Sequence, residues 1–334
     1  MSLRSGVVLQ GAYPPGEFRS MVERIDALGF SNLWLTDSSL HARNSYAYLT
    51  VAAMTSTRLL LGTAVTNPLS RHPAITAVAA ATVDEISDGR MILGIGAGDR
   101  PLLALGMRPA RLASLRATIG AIRALWSGDE VTIEDAGFEL HDAHLRFGAR
   151  PDIPVYISAS GPKTLELAGE IADGVILLVG LFPDALAWAL EHVDRGAAKV
   201  GRPRPHVAVF AYGAIDDDED AALASARSIA AWFPQTAPVI CELAGLPSSL
   251  IEQVRERYAG GEFQEAEEAA RVLPDEFVRA VALAGDARQA WERIEAVAAA
   301  GADSLHVFPL GARRMETVEA FARCFTQLSE GGAR

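Results

Sequence analysis

The chain has 334 residues, half of them hydrophobic, and a formal net charge of −12. That is long for an average domain but ordinary for one α/β barrel, which runs to about 250 residues before insertions. The acidic balance argues against a diffuse nucleic-acid or anionic-membrane surface and leaves room for a local basic pocket only. Cys241 and Cys324 stand far apart. They form neither a disulfide framework nor a zinc pattern, and they suit a reducing cytoplasm. No apolar run approaches the roughly 20 residues of a membrane span, and the N-terminal stretch carries no signal-peptide cleavage pattern.

In chain order, Gly6 to Gln10 reads as a first strand. Glu17 to Leu28 follows as an amphipathic helix closed by Gly29. Asn32 to Thr36 is strand two, ending at Asp37, and Tyr46 to Met54 is a helix. The stretch that organises the chain is 59–99. Leu59 to Val65 and Met91 to Ile95 are apolar runs of strand length, separated by the Ala-rich helix His72 to Ile86. Runs this apolar fit strands buried on both faces, which makes the stretch a parallel βαβ unit. Arg111 to Trp126 is a long helix. Residues 129–150 break the rhythm as an insertion, with a hairpin-like segment from Val131 to Leu145.

The alternation then resumes. Pro154 to Ser160 is strand five with helix Pro162 to Ala172, and Val175 to Val179 is strand six with helix Asp184 to Lys199. Val207 to Ile215 is strand seven, 219–299 a broken helical region, Ser304 to Phe308 strand eight, and Met315 to Leu328 the last helix. Eight strands alternating with helices predict an α/β fold of the (β/α)8 TIM-barrel type, one domain over 1–334. Residues 230–275 are too long for a simple connection and read as a helical insertion between strands 7 and 8. The acidic run Asp216 to Asp220 reads as a helix start.

Ligands of such folds sit at the carboxyl ends of the strands. Three segments there stand out. Ser158-Ala159-Ser160-Gly161-Pro162-Lys163 closes strand five with a small-residue turn and puts Pro162 at the first helical position. Free amides at that helix start, backed by its dipole, make a ready phosphate site, to which Lys163 adds charge. Thr63-Ala64-Val65-Thr66-Asn67 ends strand three either in a plain turn before Pro68 or in a distorted strand end whose backbone touches a flat cofactor. Gly94-Ile95-Gly96-Ala97-Gly98-Asp99 closes strand four, the wrong strand for a dinucleotide fingerprint, and lets a ligand approach the backbone. Asp37 and Asp99, both just past strand ends, are candidate acid–base groups, with a loop cap as the alternative for Asp37. His72 reads as a helix cap. His141 and His144 lack further ligands, so no metal site is expected. Nucleophile-elbow and P-loop patterns are missing.

Three stretches together carry a resemblance: Arg71-His72-Pro73-Ala74-Ile75-Thr76, Thr82 to Arg90, and Leu93 to Asp99. They resemble the bacterial luciferase-like superfamily. The segment 155–174 and Cys241 to Pro247 resemble its coenzyme F420-dependent methylenetetrahydromethanopterin reductases. The resemblance implies a barrel holding F420, or alternatively FMN, at its C-terminal mouth. The phosphate would lie on Ser160 to Lys163, residues Thr63 to Asn67 would back the ring, and a non-proline cis bond is expected at Ala64–Val65. Asp37 and Asp99 would line the reacting space, with Gln10, Ser38 and Tyr212 on the substrate side.

The reductases carry a carboxylate where Gln10 stands, and many relatives a histidine at Ser38. Glutamine cannot protonate a pterin nitrogen, which argues against a pterin substrate and leaves cofactor binding intact. The implied activity is hydride transfer on a small molecule. The alternatives are an FMN-dependent monooxygenase served by a separate flavin reductase, and a non-catalytic flavin-binding protein. A homodimer or homotetramer is expected.

Overall fold

The computed structural model describes residues 3–38, 40–98, 100–134, 137–258 and 263–331. The first half runs β1 (Arg4–Leu9), α1 (Pro15–Ala27), β2 (Asn32–Leu35), α2 (Ser45–Thr55), β3 (Leu60–Thr63), α3 (Pro73–Ile86), β4 (Met91–Ile95), α4 (Arg100–Ala104) and α5 (Leu112–Trp126). A small hairpin, β5 (Val131–Ile133) and β6 (Leu140–Ala143), comes next, as the interruption of the rhythm predicts. Then come β7 (Val155–Ala159), α6 (Pro162–Ile171), β8 (Gly174–Leu177), α7 (Pro183–Lys199), β9 (His206–Ile215) and α8 (Glu219–Ala230). The insertion holds α9 (Trp232–Thr236), α10 (Pro238–Leu243), α11 (Ser248–Arg257), α12 (Phe263–Ala270) and α13 (Asp275–Val281). The chain ends with β10 (Leu283–Gly285), α14 (Ala287–Ala299), β11 (Ser304–Pro309) and α15 (Arg314–Gly331).

Eight of these strands close a parallel barrel in the order β1-β2-β3-β4-β7-β8-β9-β11, with β11 returning to β1. The (β/α)8 fold is therefore present, with helices inserted between its seventh and eighth strands. Two details differ from the sequence reading. The insertion runs on to Val281 rather than stopping at 275. The element after it is not helix but a ninth strand, β10, which pairs with Gly213 to Ile215 at the tip of β9, outside the ring. Three residues, Leu-Ala-Gly, show no alternation, and only the free edge of β9 makes them a strand.

Side chains alternate across each strand. Leu33, Leu35, Leu93, Ile157 and Val307 face the helices and join the main core. Val8, Trp34, Ile92, Tyr156, Ile176, Ala208 and Phe210 point inward and fill the barrel. Trp34 fits because Gly62 opposite it on β3 has no side chain; an added Cβ there would collide with the indole.

Below these rings runs a polar chain that leads from exposed Arg4 to buried His306 and Trp34. Arg4 meets His206 Nδ1 at 3.0 Å, His206 Nε2 meets Ser304 Oγ at 2.9 Å, His306 Nε2 meets the same oxygen at 2.9 Å, and Trp34 Nε1 meets His306 Nδ1 at 3.2 Å. Arginine and indole only donate, so each Nδ1 must accept and each Nε2 carries the proton. Both imidazoles are thereby held neutral. Burial, then the Arg4 charge, lowers His206 to about 4, with Asp303 opposing, and burial, then His206 and Arg4, holds His306 well below the ordinary range.

An unfolded chain takes up these protons near pH 6.5, whereas the folded one refuses them. Stability is therefore complete above pH 6.5 and falls as the pH drops toward 4, by about 3 kcal/mol for His206 alone. Urea midpoints at pH 7.5 and 5.0 should differ, and His206→Gln should flatten the difference. An identical pH dependence in that variant would reject this account.

Candidate active site at the barrel mouth

β3 stops at Thr63 because the next segment turns toward β4. The Ala64–Val65 peptide is cis, where the family resemblance placed it. Thr63 Oγ1 donates to the Gly94 carbonyl at 2.7 Å and accepts the Gly94 amide at 3.0 Å. The Ala64 amide reaches back to Leu35 O at 2.7 Å, while the Thr66 amide reaches Gly94 O at 3.0 Å. The chain thus bulges between two strands. Val65 leans over Gly96, where an added Cβ would lie 3.0 Å from Val65 Cγ2 and 3.4 Å from Ser158 Cβ. Residues far apart in sequence, the bulge and the end of β7, therefore meet at one place.

The polar side chains of the bulge serve the protein itself. Thr63, Thr66 and Asn67 are buried. Asn67 Oδ1 accepts the amides of Leu69 and Ser70 at 3.0 and 2.8 Å, closing the turn. What is left for a ligand is backbone and the aliphatic surface of Ala64 and Val65, which pack on the rings inside the barrel.

Asp37 lies just beyond β2 and is 6% exposed. Its carboxylate accepts from Ser45 Oγ at 3.0 Å, Thr66 Oγ1 at 2.8 Å, and both terminal nitrogens of Arg71, one at 2.9 Å. The bidentate pair ties β2, α2, the bulge and the segment before α3 into one knot. Arg71 lies 5.1 Å above the Tyr46 ring. Burial of Tyr46, reinforced by Asp37, pushes its phenol far up, so that it stays protonated. Among the described residues the buried hydroxyl of Thr36 has no hydrogen-bond partner. His72 caps α3 as expected: its Nδ1 accepts the Ala74 amide at 3.2 Å, and its Nε2 meets Glu139 O of the hairpin at 3.0 Å.

Just after β7, α6 begins at Pro162 with Gly161 as its N-cap, and no side chain caps it. Its first turn holds no acidic residue, as is also true of α2, α3 and α5, and does hold Lys163. An added Cβ at Gly161 would meet nothing within 4 Å. The start of α6 therefore offers open space in front of unspent amides, a positive dipole end and an ammonium group. A phosphate fits this donor set.

Ser158, Ser160, Gln10, Ser38 and Tyr212 are all partly buried at this end of the barrel. Gln10 continues the inward face of Val8, and Tyr212 that of Phe210. The Tyr212 ring sits 5.1 Å from Phe308 of β11. Asp99 lies outside the described residues. Sequence reasoning passed over Arg71 as the partner of Asp37, and also Thr36 and Phe308. Inward parity marks the last two; nothing local links Arg71 to an aspartate so far away in the chain. Among the described residues there is no cluster able to hold a metal ion and no helix long and apolar enough to cross a membrane.

Three comparisons bear on this site. A family model described as luciferase-like monooxygenase matches residues 3–304. Two 5,10-methylenetetrahydromethanopterin reductases are similar. The one from Archaeoglobus fulgidus is 32% identical over 92% of this chain and 94% of its own length. The one from Methanolobus tindarius is 37% identical over 70% and 73%. The coenzyme F420 dependent tetrahydromethanopterin reductase from Methanopyrus kandleri superposes with a TM-score of 0.84 at 27% identity, covering 97% of this chain and 98% of that one. Together with the closed barrel and the bulged third strand, these matches show that the chain belongs to the luciferase-like monooxygenase family.

Proposed function

We propose that this chain is an oxidoreductase using coenzyme F420 and transferring hydride to or from a small organic substrate at the barrel mouth. The observation that carries this reading is the uncapped, acid-free start of α6 just after β7, whose Ser158 comes close to the Val65 bulge at Gly96. Relatives that match over more than nine-tenths of the chain are named as reductases, and the Methanopyrus protein is F420 dependent.

When bound, F420 supplies the hydride-carrying ring. The amides of Gly161 and Lys163, with the Lys163 ammonium and the Ser158 and Ser160 hydroxyls, hold the phosphate. Ala159 and Pro162 set the turn. Residues Thr63 to Asn67 back the ring through their backbone and through Ala64 and Val65. Asp37, already engaged by four donors, acts as a positioning residue that holds the bulge. The acid–base part falls to Asp99, which follows the glycines of β4. Gln10, Ser38 and Tyr212 face the substrate. Gln10 donates and accepts hydrogen bonds but carries no titratable proton, so the substrate is one that needs no acid at that position.

The whole chain works as one domain, in the cytoplasm, where the buried thiols Cys241 and Cys324 stay reduced. α2 and α3 leave Ala47, Met54, Ile75, Val78 and Ile86 exposed. Helices with apolar residues on their outer faces as well belong in an interface, here that of a homodimer; a monomer by light scattering would overturn this.

The functional reading is tested by titrating the purified protein with F420, FMN and reduced FMN and following absorbance and oxygen uptake. F420 should bind tightly with no oxygen consumption. Oxygen uptake with reduced FMN would instead select the monooxygenase, which needs a separate flavin reductase. Tight binding with no turnover across a panel of alcohols, aldehydes and imines would select a binding protein.

A further inference from the structure

We propose that the cavity between β10 and α14 binds a small oxyanionic metabolite, held by Arg279, Arg288 and Arg293. The cavity measures about 340 Å3 and is walled by Ala282, the C-cap of α13, by Ala284 of β10 and by Arg288, Gln289, Glu292 and Arg293 of α14, with Arg279 entering from α13. Leu283 is the β10 residue that approaches Gly213 on the barrel. Ala284 therefore points to the other face of the sheet from Leu283, and the cavity lies on that face.

Its charge is unbalanced. Arg288 pairs with Glu292 at 2.6 Å, one turn along the same helix. Arg279 and Arg293 are both partly buried, and among the described residues neither has a hydrogen bond or an ion pair. The Nε–H of Arg279 is shielded from solvent with no acceptor. Gln289 cannot help, because its side chain accepts the Asp286 amide at 3.1 Å and donates to Glu219 at 2.8 Å.

A chain with 42 acidic and 30 basic residues has carboxylates to spare, yet two half-buried guanidiniums share this space unpaired. A buried donor without a partner is costly, and like charges at one site repel. A ligand with two or more anionic oxygens removes both costs, and guanidiniums grip such a group in two-point fashion. Phosphate monoesters and di- or tricarboxylates share this chemistry.

The test is calorimetric titration of the full chain with inorganic phosphate and with citrate at fixed ionic strength. It is run on Gly161→Val, so that the start of α6 does not contribute. Saturable binding is expected, weakened about tenfold or more by Arg279→Gln and by Arg293→Gln. Tighter phosphate binding assigns a phosphoryl ligand, and tighter citrate binding a carboxylate. Without added anion, Arg279→Gln should unfold at the same temperature as its parent or higher, because an uncompensated charge has been removed. Failure of both anions to saturate, unchanged affinity in both glutamine variants, or marked thermal destabilisation by Arg279→Gln would each overturn the proposal.

Discussion

Gly161→Val will lose the cofactor and keep the fold. The backbone there has φ −107° and ψ 153°, extended geometry open to any residue, and an added Cβ meets nothing within 4 Å. Valine therefore costs the free protein nothing through collision. Its methyl groups would instead fill the space in front of the first amides of α6, where we propose that the phosphate lies. Hydrogen bonds to a charged group contribute about 1.5–3 kcal/mol each, so losing two of them weakens F420 binding by about a hundredfold or more. Lys163→Ala removes one charge from an exposed side chain and should weaken binding by about tenfold. Absorbance titration measures both, and melting curves check that the fold survives. Wild-type affinity in both variants would reject the phosphate placement, whatever the rest of the mouth does.

The second large effect is expected at Asp37. Asp37→Asn removes the countercharge of Arg71, whose side chain is only 16% exposed, and replaces an oxygen acceptor by a donor that faces donors. Breaking a buried pair from one side costs about 3–5 kcal/mol. Arg71→Leu should cost a similar amount. The double change Asp37→Leu with Arg71→Leu should cost clearly less than the two singles combined, since no charge is left stranded. Urea unfolding reads all of these. F420 affinity should fall with Asp37→Asn, because Thr66 loses the acceptor that holds the bulge. If Asp37→Asn kept its stability and affinity and lost only turnover, Asp37 would be the acid–base group that its position after β2 suggests, rather than the anchor.

Asp37 also marks the limit of what could be read along the chain. Its place past a strand end is a local fact, visible as Asn32 to Thr36 followed by an acid. Its partner, 34 residues later, comes from no spacing rule. The polar chain under the barrel is a stronger case: Arg4, Trp34, His206, Ser304 and His306 come from four strands, and each alone looks like an unremarkable strand residue. β10 was missed for the same reason, since it is a strand only because the edge of β9 stands open beside it. His72, by contrast, was legible as a cap, because its acceptor and the Ala74 amide lie within one turn.

By itself the sequence determined the alternation of strands and helices, the hairpin and helical interruptions, the glycines at the mouth and the uncapped start of α6. These are signals of short range, set by side-chain period, chain stiffness and cap chemistry within a few residues. Tertiary structure alone decided that the ring closes with β11 beside β1, that Val65 and Ser158 meet over Gly96, that Asp37 is spent on Arg71, and that Arg279 and Arg293 share a cavity whose one carboxylate, Glu292, is paired with Arg288. Each depends on packing between residues distant in sequence, where one charge or ring acquires its meaning from neighbours that no local pattern announces.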